Sequence, residues 1–453
     1  MIADRRPYPA YKDSGVEWLG EVPVGWEVLP LGSGFRSAFK RNVGMQERTV
    51  LSLSYGRIIV KSEDNLRGLT PESFETYQLV DPGDIILRPT DLQNDQTSLR
   101  VGVAKTKGII TSAYLRLVAR GILVPGFDFL LLHAYDLMKV FYGYGSGLRQ
   151  MLDFSQLKRI PFALPSMAEQ AAIVHFVAAL DSRVQRFIAT KERLIELLAE
   201  EKQEIVHRAI TCGLDASVSL KSSGVEWLGD VPAHWRVVPL RYLARFHNGF
   251  AFKPADWGSE GTAIIRIANL NGSEDFNYTS REDVPERLRI RRGDLLFAWS
   301  GNRGTSFGSF VWDRDFDGYL NQHIFKVDGF DLDPTYFAHL LRAVTRHVEE
   351  QAHGIIGLVH ITKSKLGSIR VPVAPPEEQG MIARAIDEET SRASAIQSRA
   401  RREISLIREY RGRLVADVVT GKLDIREAVA SLPGDPDADA AALDEQLEEV
   451  AAG

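Results

Sequence analysis

One segment of this sequence occurs twice with few changes. Residues 14–31 read SGVEWLGEVPVGWEVLPL, and residues 223–240 read SGVEWLGDVPAHWRVVPL, 209 positions later. The same offset returns near the end of each half, where Gln170 and Gln379 follow matching glutamates. A register kept across a whole half-chain indicates a tandem duplication, so the chain is predicted to contain two similar modules.

The two halves agree at their edges and differ in the middle. Residues 32–155 and 241–360 share little identity, which favours two modules doing the same task on different targets. Drift after duplication, without functional meaning, is the alternative. Short β-type runs between turns, followed by one helical stretch, predict a mixed α+β fold for each middle. The predicted strands are Val50–Leu53, Arg57–Val60, Asp84–Leu87, Tyr114–Val118, Ala263–Ala268, Asp294–Trp299 and His323–Val327, and the predicted helices are Phe127–Phe141 and Pro334–Gln351.

A helical texture follows each middle region. From Ser166 the sequence is rich in Ala, Glu, Gln, Lys and Arg, with apolar residues on a heptad-like track. The track repeats 209 residues later, including a basic residue at Lys202 and at Arg411. Two matching stripes predict two long helices packed antiparallel around a pseudo-twofold axis. A helix over Asp181–Cys212 would be about 48 Å long at 1.5 Å per residue.

Composition limits the class of protein only in part. A single cysteine excludes a disulfide framework or a cysteine-rich zinc site, and the absence of an apolar run of membrane length or of a signal pattern predicts a cytoplasmic protein. The net charge of −5 includes seven acidic residues in 433–453, so the remainder carries +2. This acidic end is predicted to be a disordered tail, and DNA binding would depend on local basic patches.

These features resemble the specificity subunits of type I restriction–modification systems. The resemblance rests on SGVEWLG-x-VP-x-x-W and on the Pro-Glu-Gln junctions IPFALPSMAEQAAI (160–173) and IRVPVAPPEEQGMI (369–382), and it covers roughly residues 8–430. It implies two α/β target-recognition domains separated by two long helices that form an antiparallel coiled coil. The resulting division is 1–165 and 216–373 for the recognition domains, 166–215 and 374–430 for the helices, and 431–453 for the tail.

The resemblance also implies partners. A subunit of this kind reads a bipartite, asymmetric site in double-stranded DNA, with the helices setting the spacer. It docks methyltransferase subunits, two of them expected, and restriction subunits. It holds no cofactor itself, since S-adenosylmethionine and ATP with Mg²⁺ belong to those partners.

Three sets of residues are predicted to contact DNA. Base edges are read by Arg, Asn, Gln and small polar side chains on loops or helices that enter a groove. The first set follows each Gly-Asp turn: Arg88, Thr90, Gln93, Asn94, Gln96, Arg100, Ser300, Asn302, Arg303 and Thr305. The second lies near the Gly-rich turn before each junction: Tyr144, Ser146, Arg149, Gln150, His360, Lys363 and Lys365. The third, in the second module, is Lys253, Arg266 and Asn269. Solvated or structural turns are the alternative for each set.

Enzymatic chemistry is not predicted. The sequence lacks an Asn-Pro-Pro or Asp-Pro-Pro motif followed by an aromatic residue, a P-loop and histidines at metal-ligand spacing. A fused methyltransferase or nuclease and, from another class, a protein-binding coiled-coil scaffold are the competing hypotheses.

Overall fold

A computed structural model describes residues 7–61, 73–95, 97–144, 151–352, 358–430 and 432. The chain divides into two compact units, the first formed by Met1–Lys191 with Arg402–Gly453 and the second by Glu192–Arg401. The predicted acidic tail, apart from Leu432, lies outside the described residues.

The first unit contains twelve named strands within the described ranges. They are β1 Tyr11–Asp13, β2 Glu21–Pro23, β3 Glu27–Pro30, β4 Phe35–Ser37, β5 Leu51–Ser54, β6 Arg57–Val60, β7 Gln78–Val80, β8 Ile85–Leu87, β9 Val101–Val103, β10 Gly108–Ile110, β11 Leu115–Ala119 and β12 Pro161–Leu164. Its helices are α1 Leu31–Gly34, α2 Phe127–Leu137 and α3 Phe154–Leu157. The long helix α4, Met167–Cys212, begins in this unit and continues into the second.

The core of the first unit lies between a sheet and α2. The sheet has the order β4-β11-β8-β9 with antiparallel neighbours. Every residue of β8 is buried, as its unbroken apolar sequence requires. The apolar side chains of α2 pack in the same cluster, with Phe127, Leu132 and Tyr135 fully buried. This packing fixes the ends of β8 and α2, where the candidate residues lie.

The second unit contains fourteen named strands in the part of the chain that is described. They are β13 Leu220–Ser222, β14 Asp230–Pro232, β15 Arg236–Pro239, β16 Arg245–Asn248, β17 Thr262–Ile265, β18 Asn277–Thr279, β19 Arg289–Ile290, β20 Leu295–Ala298, β21 Ser300–Asn302, β22 Gly308–Val311, β23 Gly318–Leu320, β24 Ile324–Asp328, β25 Leu358–His360 and β26 Arg370–Val373. The helices are α4 Met167–Cys212, α5 Ile267–Leu270, α6 Pro334–Gln351, α7 Lys363–Ser368 and α8 Pro376–Val419; α9 Arg426–Ala430 belongs to the first unit.

Two four-stranded sheets build the second unit. One has the order β16-β24-β20-β22 and the other β18-β17-β23-β19, in which β17 and β23 are parallel. Helix α6 starts where Asp333 accepts hydrogen bonds from the amides of Thr335 and Tyr336, and Pro334 takes the first position, where no amide hydrogen is needed. The predicted strand Ala263–Ala268 is wrong at its end, because Ile267 already begins α5.

The two long helices start with the same device. Gln170 reaches back from α4 so that its Oε1 accepts from Val124 N at 2.8 Å while its Nε2 donates to Pro165 O. Gln379 in α8 does the same with Asp333 N, at 2.8 Å, and Ala374 O. Both glutamines are buried, so each satisfies main-chain groups that water cannot reach.

The glutamates that precede these glutamines, Glu169 and Glu378, have different contacts. Ser166 Oγ accepts from the amide of Glu169 at 3.3 Å, so the serine caps α4. Glu378 accepts instead from Trp235 Nε1 at 3.0 Å and lies 2.6 Å from His234. The carboxylate of Glu378 therefore anchors an indole rather than helix amides.

The long helices contact each other inside each unit. In the first unit Asp181 pairs with Arg411 at 2.7 Å and Lys191 with Glu403 at 2.8 Å. As one helix advances by ten residues the partner recedes by eight, so the two segments run in opposite directions.

The same direction holds in the second unit. There Lys202 Nζ donates to Ser394 Oγ at 2.8 Å and Gln397 Nε2 donates to Ile195 O at 2.9 Å. Side chains on the predicted apolar track of α8 are buried in both units: Ala400, Ile404, Leu414 and Val418.

Two of the repeated tryptophans pack against helix ends. Trp26 and Trp235 are buried, and glycines that follow α8 and α4 lie beside them. A Cβ on Gly421 would approach Trp26 to 3.0 Å, and one on Gly213 would approach Trp235 to 3.2 Å; both glycines have positive φ. The other two tryptophans of the repeat also lie beside helices. Trp18 meets Tyr135 of α2 edge-on, and Trp227 stacks on His347 of α6 and lies 6.2 Å from the ring of His207 in α4.

Candidate nucleic-acid interface

Strand β20 carries the first candidate segment of the second unit to the surface. All four of its residues are buried, and the Gly293-Asp294 turn before it is held by Asp294, which accepts from Arg291 N at 2.8 Å and pairs with Lys326 at 2.9 Å. The chain leaves this buried strand at Trp299 and enters β21. A rigid strand therefore delivers the polar residues that follow it.

A tight turn then exposes the predicted readers. The amides of Ser306 and Phe307 donate to Asn302 O at 3.0 and 3.2 Å, and Asn302 N donates back to Ser306 Oγ at 2.6 Å. The side chains of Asn302, Arg303 and Thr305 are all exposed. This turn fixes its own backbone through main-chain groups, a buried serine and Thr305, whose Oγ1 donates to Asn302 O at 3.4 Å. The side chains of Asn302 and Arg303 therefore stay exposed at the surface of the turn.

Strand pairing joins the first and second candidate sets. β21 pairs antiparallel with β25, with Ser300 opposite His360 and Asn302 opposite Leu358. His360 is exposed, and Thr362 caps α7 by accepting from Lys365 N, which leaves Lys363 and Lys365 exposed. Two segments about sixty residues apart in the sequence thus form one surface.

Sequence reasoning missed an aromatic cluster at this surface. Trp299 lies 5.0 Å from the rings of both His323 and His360 and stacks on Phe325 at 6.0 Å. Its Nε1 donates to Gln322 O at 2.9 Å. His323 and Gln322 are exposed. An aromatic residue at the end of a buried strand, followed at once by polar residues, is the signal that could have identified Trp299.

The charge on this surface is positive. Lys363 and Lys365 form no ion pair with any residue in the described ranges, and the charge of Arg303 acts on Glu349 without a salt bridge among those residues. Behind the turn, Glu349 accepts from Gly304 N at 2.7 Å, and burial raises the pKa of that carboxyl. Unpaired cations beside polar side chains suit contact with a polyanion.

The third predicted set does not behave as one group. Lys253 is exposed, and Arg266 lies over the ring of Trp257 at 6.0 Å while donating to Asp275 O at 2.9 Å. Asn269 is buried: its Oδ1 accepts from Arg266 N and its Nδ2 donates to Ser273 O and Asp275 O. Both ends of the Asn269 amide hold α5 and the following turn, so base reading by Asn269 stays a prediction that these contacts do not support.

The corresponding loop of the first unit is built around Arg100. This arginine is buried, and its guanidinium donates to Thr90 O at 2.6 Å, Asp91 O at 3.0 Å, Asp95 O and, through Nε, Tyr142 Oη at 2.9 Å. The contact of Arg100 with DNA stays a prediction that this burial does not support, since the guanidinium donates to groups of the protein interior. Arg100 shapes the loop instead.

Of the other residues of this loop, some make ion pairs or hydrogen bonds within it and others have exposed side chains. Arg88 pairs with Asp95 at 2.6 Å, and hydrogen bonds from Ser98 lower the pKa of that aspartate. Gln93 and Asn94 are exposed, with Asn94 Nδ2 donating to Asp91 Oδ1 at 2.8 Å.

Two further predicted residues have structural partners, and four cannot be placed. Thr90 is half-buried and supplies a carbonyl to the guanidinium of Arg100. Tyr144 is half-buried, and its hydroxyl accepts from Trp18 Nε1 at 3.2 Å. Outside the described residues lie Gln96, Ser146, Arg149 and Gln150.

The first and second sets also meet in the first unit. Leu152 N donates to Pro89 O at 3.0 Å, and the hydrogen bond between Arg100 and Tyr142 links the loop to the turn after α2. In both units the segment after the Gly-Asp strand therefore lies against the segment before the junction. Within the described ranges, three or more His, Cys, Asp or Glu residues never gather as a metal site would require, and no helix is long and apolar enough to cross a bilayer.

Comparison with known proteins finds a matching family model and similar sequences. Residues 232–405 match the family model for the type I restriction modification DNA specificity domain. The specificity subunit of the type I restriction enzyme EcoBI from Escherichia coli is 22% identical over 211 residues, which cover 46% of this chain and 43% of that protein. The specificity subunit of type I restriction enzyme MjaVIII from Methanocaldococcus jannaschii is 23% identical over 427 residues, covering 89% of this chain and 94% of that protein.

A solved structure has the same fold. It is a chain from work on complex assembly and conformational transition of the type I R-M system, with a TM-score of 0.59, 15% identity, and coverage of 89% of this chain and 99% of that chain. At this identity the likeness concerns the fold alone. The family match and the curated relatives confirm the resemblance predicted from the sequence.

Proposed function

We propose that this chain is a specificity subunit of a type I restriction–modification system, as the family-model match over residues 232–405 and the curated relatives support, and that each of its units reads one half of a bipartite, asymmetric DNA site. The second unit reads its half-site with the surface formed by Asn302, Arg303, Thr305 and His360, with Ser300 and Lys363 beside them. The first unit uses Gln93 and Asn94 on the Arg100-braced loop, together with the turn that follows α2.

The observation that carries this proposal is the pairing of β21 with β25. It joins two predicted reading segments into one exposed surface whose cations lack carboxylate partners among the described residues. Arg donors suit guanine N7 and O6, and Asn suits adenine, in the major groove. Lys363 and Lys365 suit phosphates, which position a protein without reading sequence.

The spacing between half-sites is the task we assign to the long helices. Ion pairs and hydrogen bonds between α4 and α8 within each unit support an antiparallel coiled coil with pseudo-twofold symmetry. The 46 residues of α4 would extend about 69 Å at 1.5 Å per residue, more than the ~34–36 Å of one turn of DNA. A rigid strut of fixed length would hold the two readers at a fixed separation on the duplex.

The subunit supplies recognition and its partners supply chemistry. Two methyltransferase subunits, bringing S-adenosylmethionine, and restriction subunits, bringing ATP with Mg²⁺, would assemble on it in the cytoplasm.

The test is the Arg303→Ala variant in a complex with the methyltransferase subunits. Losing one bidentate contact costs about 1–3 kcal/mol of discrimination, so the methylated sequence should become relaxed at one position of one half-site by about tenfold or more. The other half-site and the spacer should stay unchanged. Sequencing of methylated adenines in host DNA measures all three.

The matched control is Arg287→Ala, which removes an exposed arginine of the same unit outside the candidate surface. An unaltered methylation pattern in the Arg303 variant would overturn the assignment of this surface. Fluorescence anisotropy with random and genomic duplexes tests the scaffold hypothesis, because a protein-binding scaffold would bind neither, with or without a methyltransferase subunit.

A further inference from the structure

The second unit contains a cavity that borders the proposed reading surface at Thr305. Its volume is about 570 Å³, and it is lined by residues of α4, α6 and α8 and by the back of the Gly304-Thr305 turn. The cavity therefore lies behind the loop that carries Arg303.

Positive charge dominates the lining. Lys202, Arg342, Arg346 and Arg401 face the cavity together with one carboxyl group, that of Glu349, whose pKa is raised by burial. The cations are not equally compensated. Arg346 pairs with Glu204 at 3.3 Å and with Glu350 at 2.8 Å.

The other three cations have fewer counterions. Arg342 donates to His339 Nδ1 at 3.1 Å, and the negative charge of Asp387 acts on it. Among the described residues, Lys202 donates only to the hydroxyl of Ser394, and Arg401 makes no ion pair. Burial and the neighbouring Arg342 and Arg401 lower the pKa of Lys202. Like charges held together with fewer counterions than cations favour a bound anion.

A buried hydroxyl adds an unused donor. Ser309 Oγ lines the cavity, is inaccessible to solvent, and has no hydrogen-bond partner. Its backbone amide is already engaged by Thr345 Oγ1 at 3.2 Å. Buried polar atoms are nearly always paired, so an orphaned hydroxyl beside a cationic cavity is a candidate donor to a ligand there.

The matched positions of the first unit carry different charges. The counterparts 209 positions away from Lys202, Thr390 and Arg342 are Arg411, Asp181 and His133. In the first unit Asp181 grips Arg411 through both carboxylate oxygens, at 2.7 and 2.8 Å, so the helix cation carries its own counterion.

In the second unit a threonine stands in place of that aspartate and an arginine in place of that histidine. Burial and the charge of Arg411 lower the pKa of His133 to about 4, so this histidine is neutral near pH 7. The exchange therefore removes one negative charge and adds one positive charge at matched positions.

We propose that this cavity binds a phosphate group, held by Lys202, Arg342 and Arg401 with Ser309 as a hydroxyl donor. A doubly charged phosphate with several acceptor oxygens matches converging cations better than one carboxylate does, and the volume accommodates more than one phosphate. The group comes either from a free phosphate compound or from the DNA backbone next to the Gly304-Thr305 turn. Only the second source rests on the proposed function.

Calorimetric titration of the full chain with inorganic phosphate and with tripolyphosphate tests the free source, against chloride at equal ionic strength. Arg401→Gln and Lys202→Gln should each weaken binding about tenfold, the size expected for one charge-assisted contact. Arg402→Gln, which removes the next arginine of α8 outside the cavity lining, should leave binding unchanged.

A second variant protects the test against misfolding. Thr390→Asp copies the first unit and gives Lys202 an internal counterion, so it should abolish phosphate binding while the thermal unfolding midpoint stays the same or rises. Retention of full tripolyphosphate affinity in a folded Thr390→Asp chain would contradict a free phosphate ligand.

DNA titrations across salt concentrations test the other source. If a backbone phosphate fills the cavity, Arg401→Gln in the methyltransferase complex should lower affinity equally for all sequences and reduce the salt slope by about 1. The sequence specificity that tests the proposed function would then be untouched. If Arg401→Gln and Lys202→Gln matched Arg402→Gln in both the phosphate and the DNA titrations, the cavity would not be a phosphate site.

Discussion

The two units hold their candidate reading loops by different means. In the first, one buried guanidinium, that of Arg100, collects carbonyls from across its loop. In the second, the loop is held by main-chain pairing of β21 with β25 and by Glu349, which accepts from Gly304 N. A frame shared by both units thus carries one loop shaped by a side chain and one shaped by the backbone. A loop of the first kind depends on a single residue, and a loop of the second kind tolerates change in its exposed side chains.

Arg100→Ala should produce the largest effect. It leaves several buried carbonyls without donors, for which we expect a loss of about 3–5 kcal/mol of unfolding free energy. Hydrogen exchange should show the loss in residues 88–100 and in α2, and leave β20 to β25 unchanged. Recognition of one half-site should fail with it.

The matched control is Arg88→Ala, in the same loop. Its pair with Asp95 is partly exposed, so its removal should cost under about 1 kcal/mol. Equal losses from Arg88→Ala and Arg100→Ala would mean that Arg100 does not organise the loop.

Gln170→Ala and Gln379→Ala test the shared frame and rank second. Each change leaves a buried amide and a carbonyl unpaired, so both variants should lose about 2–3 kcal/mol. Because the contacts match, the two losses should agree within about 1 kcal/mol, measured by denaturant unfolding and localised by hydrogen exchange. A large loss of unfolding free energy in only one of the two variants would show that the two glutamines do not have the same role.

The smallest effect concerns pH. His133 has a pKa of about 4 in the folded chain against an ordinary 6.5, because burial and Arg411 disfavour its charged form. The unfolded chain therefore takes up a proton first as pH falls, and stability decreases between about pH 6.5 and 4. At pH 5 the loss should be about 2 kcal/mol relative to pH 7.

His133→Gln should remove that loss, and the stability difference between pH 7 and pH 5 measures it. The counterpart Arg342 does not titrate in this range, so Arg342→Gln should leave the slope unchanged. A wild-type slope retained in the His133 variant would place the acid sensitivity elsewhere.

Much of the fold could be predicted from periodicity and repetition. The predicted strand Arg57–Val60 and helix Pro334–Gln351 agree with β6 and α6 to the residue, because alternating or amphipathic patterns bounded by turn residues leave few options. The strand predicted to Ala268 ended early, since α5 is a single turn whose pattern is too short to distinguish from a strand.

The candidate site was less accessible to sequence reasoning. Arg100 and Asn269 have the chemistry of base readers, but their burial depends on tertiary contacts that no local pattern encodes. Trp299 was overlooked because its exposed neighbours His323 and His360 converge only through strand pairing. Residue type predicted what could bind, and only packing decided which side chains are free to do so.

The first unit is formed by two separate segments of the sequence, and this affects the order in which the units can fold during synthesis. The second unit is one uninterrupted run, Glu192–Arg401, whereas the first needs Arg402 onward to supply Arg411, Gly421 and their neighbours. On the ribosome the second unit can therefore close while the earlier-made first unit still waits for its last helix. The part translated first is completed last, and until then the apolar residues of α4 that pack against α8 in the first unit stay exposed.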